Sequence, residues 1–210
     1  MRVLIEWSGA AERQMARDAE LFETLKAGET ALRIYDWDRP ALTIGSNRPL
    51  DPSIGKAARE HGICVYRRPT SGDAVLHGHD VTIALTVRSP QPGKRISPRW
   101  LIRSVGERMI GAFGMLGIRA VQGSNAVGRS SSQFDCFNNS APADIAEAET
   151  SVKLIGCAYR VAEHGALLQA SIPVRRPIHD RPLFGHEIKV FKLLERDAVA
   201  EALAASFSDF

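Results

Sequence analysis

Short β-rich runs follow one another along this chain with little helix between them, and that succession constrains the fold more than any other feature. Ala31-Leu32-Arg33-Ile34-Tyr35-Asp36-Trp37 alternates apolar and polar residues, and Ala41-Leu42-Thr43-Ile44-Gly45 resumes after a turn at Arg39-Pro40. Ile63 to Tyr66, Val81 to Val87, Lys153 to Val161 and Ala166 to Ile172 read the same way, the last two paired around Glu163-His164-Gly165. Strands in sequence argue for an α+β domain with a mixed, largely antiparallel sheet flanked by helices, not for a doubly wound fold.

Four helices fit between and after the strands. Met15, Ala19, Phe22 and Leu25 recur at helical spacing over residues 9 to 26, with Gly28 as a stop. A short helix is expected over Ile54 to Glu60. Ser97-Pro98 is an N-cap followed by proline at the first helical position, and Ile102, Val105, Met109, Phe113 and Leu116 trace one face to Gly117. A closing helix is expected over 195 to 206, after a connection that carries Pro173, Pro177 and Pro182. Gly123 to Ser140, rich in Gly, Ser and Asn, reads as a long functional loop.

Charge and composition exclude several classes. Twenty-seven basic residues against 24 acidic ones are too balanced for a nucleic-acid binder. No stretch approaches the ~20 apolar residues of a membrane span, and Met1 to Ile5 is an apolar run that breaks at Glu6, so a cytoplasmic location is expected. Cys64, Cys136 and Cys157 are odd in number and lack CxxC spacing, which suggests neither a disulfide framework nor a zinc site. Cys64 and Cys157 read as strand packing residues. GxGxxG and GxxxxGK[ST] motifs are both absent.

Two segments carry chemistry. In Arg67-Arg68-Pro69-Thr70-Ser71-Gly72-Asp73-Ala74-Val75-Leu76-His77, two guanidinium groups precede a small-residue loop suited to an anion. The competing reading is a surface hairpin with two solvated arginines. In Val152-Lys153-Leu154-Ile155-Gly156-Cys157-Ala158, a strand lysine precedes small residues that leave room for a ligand, and the lysine can polarise an acyl carbonyl or neutralise a phosphate. The competing reading there is an exposed lysine. His77, His79 and Asp80 lie close enough for a metal site or an acid–base pair, although a structural or substrate-orienting histidine is the simpler reading.

Together the two segments resemble the lipoate-protein ligase and octanoyltransferase family, whose pattern is an Arg-Arg-x-Ser/Thr-Gly-Gly-x-Ala-Val-x-His loop followed by Lys-x-x-Gly-Ser/Ala-Ala. The likeness extends from about residue 10 to 172. It implies that residues 1–210 form a single biotin/lipoate ligase-like catalytic domain without a C-terminal accessory domain, so that an accessory subunit is a possible partner. Arg67, Arg68, Thr70, Ser71, Gly72, Ala74, His77, Gly156 and Ala158 are the implied substrate and adenylate contacts, and Lys153 the implied catalytic group. Asp144 is the implied carboxylate for Mg²⁺. Ser71 stands where the family has glycine and Asp73 where it has glycine or arginine.

The resemblance admits two reactions. In the ligase reading, taken first, lipoate or octanoate is activated by ATP and Mg²⁺ as an acyl-adenylate and passed to a lysine of a lipoyl domain or a glycine-cleavage H-like carrier. In the alternative, Cys136, 17 residues before Lys153, is the nucleophile of an octanoyltransferase that takes its acyl group from an acyl carrier thioester. A non-catalytic acyl- or carrier-binding relative is the third reading.

Overall fold

The computed structural model describes residues 1–91, 93–123, 135–137 and 141–210. In chain order the elements are β1 (Arg2–Gly9), α1 (Ala11–Thr24), β2 (Thr30–Trp37), β3 (Ala41–Gly45), α2 (Pro52–Glu60), β4 (Cys64–Arg68) and β5 (Val75–His77). Then come β6 (Asp80–Arg88), α3 (Pro98–Met115), β7 (Ala120–Gln122), β8 (Ile145–Glu147), β9 (Lys153–Ala162), β10 (Gly165–Pro173), α4 (Asp180–Phe184) and α5 (Arg196–Ser206). Two helix starts follow directly from local chemistry. Asp51 accepts from the Ser53 and Ile54 amides ahead of α2, and the Ser97 hydroxyl accepts from the Trp100 amide ahead of α3, each with proline just after the cap.

The strands form two sheets. The larger runs β1-β2-β6-β10-β9-β8-β7, antiparallel throughout except for the parallel β1–β2 pair. The smaller runs β4-β3-β5, with β3 and β4 parallel. The fold is α+β with a mostly antiparallel sheet, as the strand succession predicts. No helix of the described residues is long and apolar enough to cross a membrane.

Side-chain alternation assigns the two faces of the large sheet different work. Leu32, Ile34, Ile83, Leu85, Leu168 and Ile172 bury one face against Leu101, Val105, Met109 and Phe113 of α3 and Val199 and Leu203 of α5. The intervening residues, among them Arg33, Tyr35, Trp37, Thr82, Gln169 and Ser171, are also buried yet polar or aromatic. They lie on the other face, where Tyr35 and Trp37 pack with Met15 and Phe22 of α1. A face of this kind needs partners for its polar atoms, and that requirement shapes the site.

Some elements differ from the sequence reading. Met1 to Ile5 opens an edge strand, β1, with Val3 and Ile5 largely exposed, so no apolar stripe marks it. The strands either side of Arg39-Pro40 belong to different sheets, because proline lacks the donor to continue a ladder and the chain crosses over there. β5 lies within the expected loop of 67 to 80, and α4 within the proline-rich connection. Cys64 is not a packing residue: β4 is the outer strand of the small sheet, and Cys64 is exposed at its start. Cys157 does pack inward, its Sγ 4.0 Å from Met109 Sδ. The loop expected over Gly123 to Ser140 falls largely outside the described residues.

Candidate functional site

A cavity of about 340 Å³, counted to its open mouth, lies between the polar face of the large sheet and the small sheet. Met15, Tyr35, Trp37 and Val75 give it apolar walls, while Thr43, Thr82, Gln169 and Ser171 carry its polar atoms. Of the residues expected from sequence, Arg68, His77, Cys136, Gly156 and Ala158 line it. Its size and mixed lining are those of a small-molecule site.

The small-residue loop is built around Arg68 rather than around a ligand. This guanidinium, 4% exposed, donates to the carbonyls of Ser71 (2.6 Å from Nη2), Asp73 (2.8 Å) and Thr43 (3.3 Å). Burial holds its pKa below the ordinary arginine range, against the pull of Cys136 and Asp73. No carboxylate pairs with it among the described residues. Gly72, at φ +99°, places its Cα where a side chain would meet Arg68 Nη2 at 2.8 Å. Arg67 Nη1 donates to the Arg48 carbonyl at 2.9 Å, and Asp73 is met by Arg48 at 2.8 Å, so the aspartate that departs from the family pattern has a local cation. Thr70 is fully buried and donates to Gln169 Oε1; Ser71 donates to the Tyr159 carbonyl at 3.3 Å.

Gln169 continues inward. Its amide donates to Asp18 on α1 at 2.6 Å; Asp18 also accepts from the Tyr35 hydroxyl and pairs with Arg33. Arg33 is fully buried, donates also to the Gln14 amide oxygen and meets Glu6 at 2.7 Å. The sequence reading passed over these residues. Their signal was the polar half of the alternation in β2 and β10.

His77 is fixed on both nitrogens. Nε2 faces the Thr43 hydroxyl and Nδ1 the Asp80 carboxylate, each at 2.8 Å, and the ring stacks on Trp37 with centroids 4.0 Å apart. Asp80 also accepts from Thr82 and Ser171. Burial works to raise its pKa, but His77, His79 and Ser171 outweigh it and hold the carboxyl well below the usual range. This is an orienting network. Among the described residues no three His, Cys, Asp or Glu side chains converge as a metal-binding group.

Cys136 and Lys153 meet. The Cys136 amide donates to the Ala74 carbonyl at 3.0 Å, and Asp135 bridges Ala74, which ties the cysteine to the start of β5. Asp135 in turn accepts from the Phe137 amide at 2.9 Å and faces His186 Nε2 at 2.7 Å. Lys153 Nζ donates to the Cys136 carbonyl at 2.6 Å and lies 3.8 Å from its Sγ. Gly156 makes room for both: a Cβ there would stand 3.3 Å from Cys136 Sγ and 3.4 Å from Lys153 Cε. Burial pushes the Cys136 thiol up, while Lys153 and Arg68 pull it down and Asp144 and Asp135 oppose them. Burial acts against the Lys153 charge, but Cys136 and Asp144 outweigh it and the ammonium is held above its ordinary range.

Asp144, expected beside a magnesium ion, is occupied by protein donors. Oδ2 meets Lys153 Nζ at 2.7 Å and accepts from the Ala141 amide at 2.7 Å, while Oδ1 accepts from the Cys157 amide at 3.0 Å. The carboxylate places the ammonium, and the ammonium reaches the thiol.

Two packed sheets with a ligand-sized cavity between them, a thiol on its wall and an ammonium behind that thiol, make up a fold shared with lipoate protein ligases. The chain superposes on lipoate-protein ligase A bound with ATP with a TM-score of 0.76 at 21% identity, covering 99% of this chain and 84% of that one. It superposes on the bi-partite lipoate protein ligase of Thermoplasma acidophilum with a TM-score of 0.75 at 19% identity, covering 99% and 82%. The chain belongs to the Lipoyl protein ligase A/B catalytic domain family, which matches residues 10–180.

Curated relatives carry a narrower name. Octanoyltransferase LipM of Kyrpidia tusciae is 33% identical over 122 residues, 57% of this chain and 44% of the relative. That of Lysinibacillus sphaericus is 33% identical over 109 residues, 50% and 40%. That of Clostridioides difficile is 28% identical over 173 residues, 80% and 63%. The chain thus spans less than two thirds of the length of these relatives.

Proposed function

We propose that this protein is a cysteine-dependent octanoyltransferase: Cys136 takes an octanoyl group from an acyl carrier thioester and gives it to a lysine of a lipoyl-domain carrier. The observation that carries the reading is Cys136 Sγ 3.8 Å from Lys153 Nζ on the wall of a ligand-sized cavity. The octanoyltransferase name of the curated relatives supports it. In the first step Sγ forms a bond to the thioester carbonyl, the carrier's C–S bond breaks, and the proton lost by Cys136 ends on the carrier's thiol. In the second, the neutral amine of the acceptor lysine attacks the Cys136 thioester; an amide forms and Sγ leaves to be protonated again. Lys153 stabilises the thiolate before attack and the oxyanion during it, in a buried setting where one well-placed donor is worth about 10²–10³ in rate.

The ligase expectation, with its ATP and Mg²⁺, is less well served. The Asp144 oxygens are taken by Lys153 and two amides, and Arg68 spends its donors on loop carbonyls rather than on a phosphate. These residues do not fit a Mg-ATP site, and the transfer above needs neither group.

The test is intact-mass analysis of an apo lipoyl carrier incubated with octanoyl-carrier thioester in one tube and with octanoate, ATP and Mg²⁺ in another. Modification from the thioester, abolished by Cys136→Ala, is expected, together with an octanoyl adduct on the wild-type enzyme. Modification only with ATP, surviving Cys136→Ala, overturns the proposal in favour of the ligase.

A further inference from the structure

A second cleft, of about 400 Å³ counted to its mouth, opens on the other side of His77. His77 lines both, so the two openings share this residue. Its remaining polar lining is cationic or imidazole: Arg175, Arg176, His79 and His179.

The charges here are not consumed by the fold. Among the described residues neither the Arg175 nor the Arg176 side chain makes a hydrogen bond or ion pair, although both line a concave surface. His79 is 4% exposed, and among the described residues neither of its ring nitrogens has a hydrogen-bond partner. A buried polar group left so costs about 1–3 kcal/mol. The nearby carboxylates do not neutralise the cleft: Asp80 is committed to His77, Thr82 and Ser171, and Asp180 accepts from the Arg181 and Ile188 amides. Two unpaired guanidinium groups beside an imidazole match a phosphate ester in charge and donor geometry.

The strand between the sites acts as a ruler. Cys136 is tied to the Ala74 carbonyl, and β5 then carries the chain to His77, three residues on, or about 10 Å at strand rise. An acyl thioester on a phosphopantetheine arm holds its phosphorus about a dozen bonds from its sulfur, roughly 13 Å at extended-chain reach. A donor whose thioester lies at Cys136 therefore brings its phosphate to the distance of this cleft. We propose that the Arg175–Arg176–His79 cleft binds the phosphodiester of the donor's prosthetic arm, positioning the thioester over Cys136. The proposal rests on the transferase reading for its donor.

The experiment compares Cys136 octanoylation by octanoyl-4′-phosphopantetheine and by octanoyl-pantetheine, at low salt, in wild type and in an Arg175→Ala/Arg176→Ala double variant. Both arginines are exposed, so the double variant is expected to fold, which its thermal unfolding checks. In wild type the phosphorylated donor reacts roughly tenfold faster, and in the variant the ratio between donors falls towards one. Equal rates in wild type, or an advantage that persists in the variant, overturns the cleft while leaving the transferase intact. If neither donor acylates Cys136, the transferase reading fails separately, and calorimetry decides the cleft. Binding of 4′-phosphopantetheine that the double variant loses sustains it; no such binding, or inorganic phosphate bound as tightly as the ester, overturns it.

Discussion

At the scale of single residues, the site is a contest over one ammonium group. Asp144 holds Lys153 at 2.7 Å, and the same nitrogen lies 3.8 Å from the Cys136 thiol. Burial raises the thiol's pKa and Lys153 opposes that rise, so Lys153→Met is expected to move it further up. The iodoacetamide alkylation rate of Cys136, followed against pH by peptide mass, then shifts to the alkaline side in the variant, and octanoyl transfer falls about 10²-fold. An unchanged alkylation profile would remove Lys153 from any role at the thiol. Spacing alone left it open whether positions 136 and 153 touch, because the segment between them has no periodicity to fix its path. The identity of the pair was legible; the carboxylate that steers it was not, since Asp144 is separated from Lys153 by β8 and a turn and read as a metal ligand by analogy.

At the scale of elements, the small sheet meets its own β4–β5 loop where a side chain is absent. Gly45 ends β3 against the loop after β4, and a Cβ there would meet the Gly72 carbonyl oxygen at 2.5 Å and the Ser71 carbonyl carbon at 2.6 Å. Both are backbone atoms that cannot swing aside. Gly45→Ala is expected to push the 71–73 loop away, loosening the carbonyls that hold Arg68 and lowering stability by about 1–3 kcal/mol, measurable by urea unfolding. A variant as stable as wild type would show that the loop has slack. The long helices could be read from periodicity because each buries one continuous stripe, and the β9–β10 hairpin from two strand-forming runs around Glu163-His164-Gly165. β5, β7 and β8, three residues each, are too short to carry a period, and β1 hides its strand character by leaving Val3 and Ile5 exposed at the sheet's edge.

At the scale of the whole molecule, a buried polar chain fastens α1 to the sheet and to the small-residue loop after β4. It runs from Arg33 through Asp18 and Gln169 to Thr70. Arg33→Met leaves Asp18 buried without its cation, which costs about 3–5 kcal/mol; unfolding in denaturant reads the loss, and a change under 1 kcal/mol would show the charge is already neutralised by protonation. That second outcome has a basis, since burial holds the Asp18 carboxyl above its usual range despite Arg33, Tyr35 and Gln169. Strand order explains why the sequence could not supply this connection: its members lie up to 151 residues apart, and only the pairing of β2 with β6 and β6 with β10 brings them together.

The short strand β5 divides its residues between two surroundings. Val75 and His77 face the cavity between the sheets, whereas Ala74 and Leu76 pack the other way with Leu42 and Ile54. Adding or deleting one residue between Arg68 and His77 would exchange these faces, sending the imidazole into the apolar cluster and moving the carbonyl that anchors the cysteine. Side chains in this stretch can change without moving the strand, whereas its length sets which face each residue takes. Reshaping the cavity is therefore a matter of exchanging side chains around it while that residue count stays fixed.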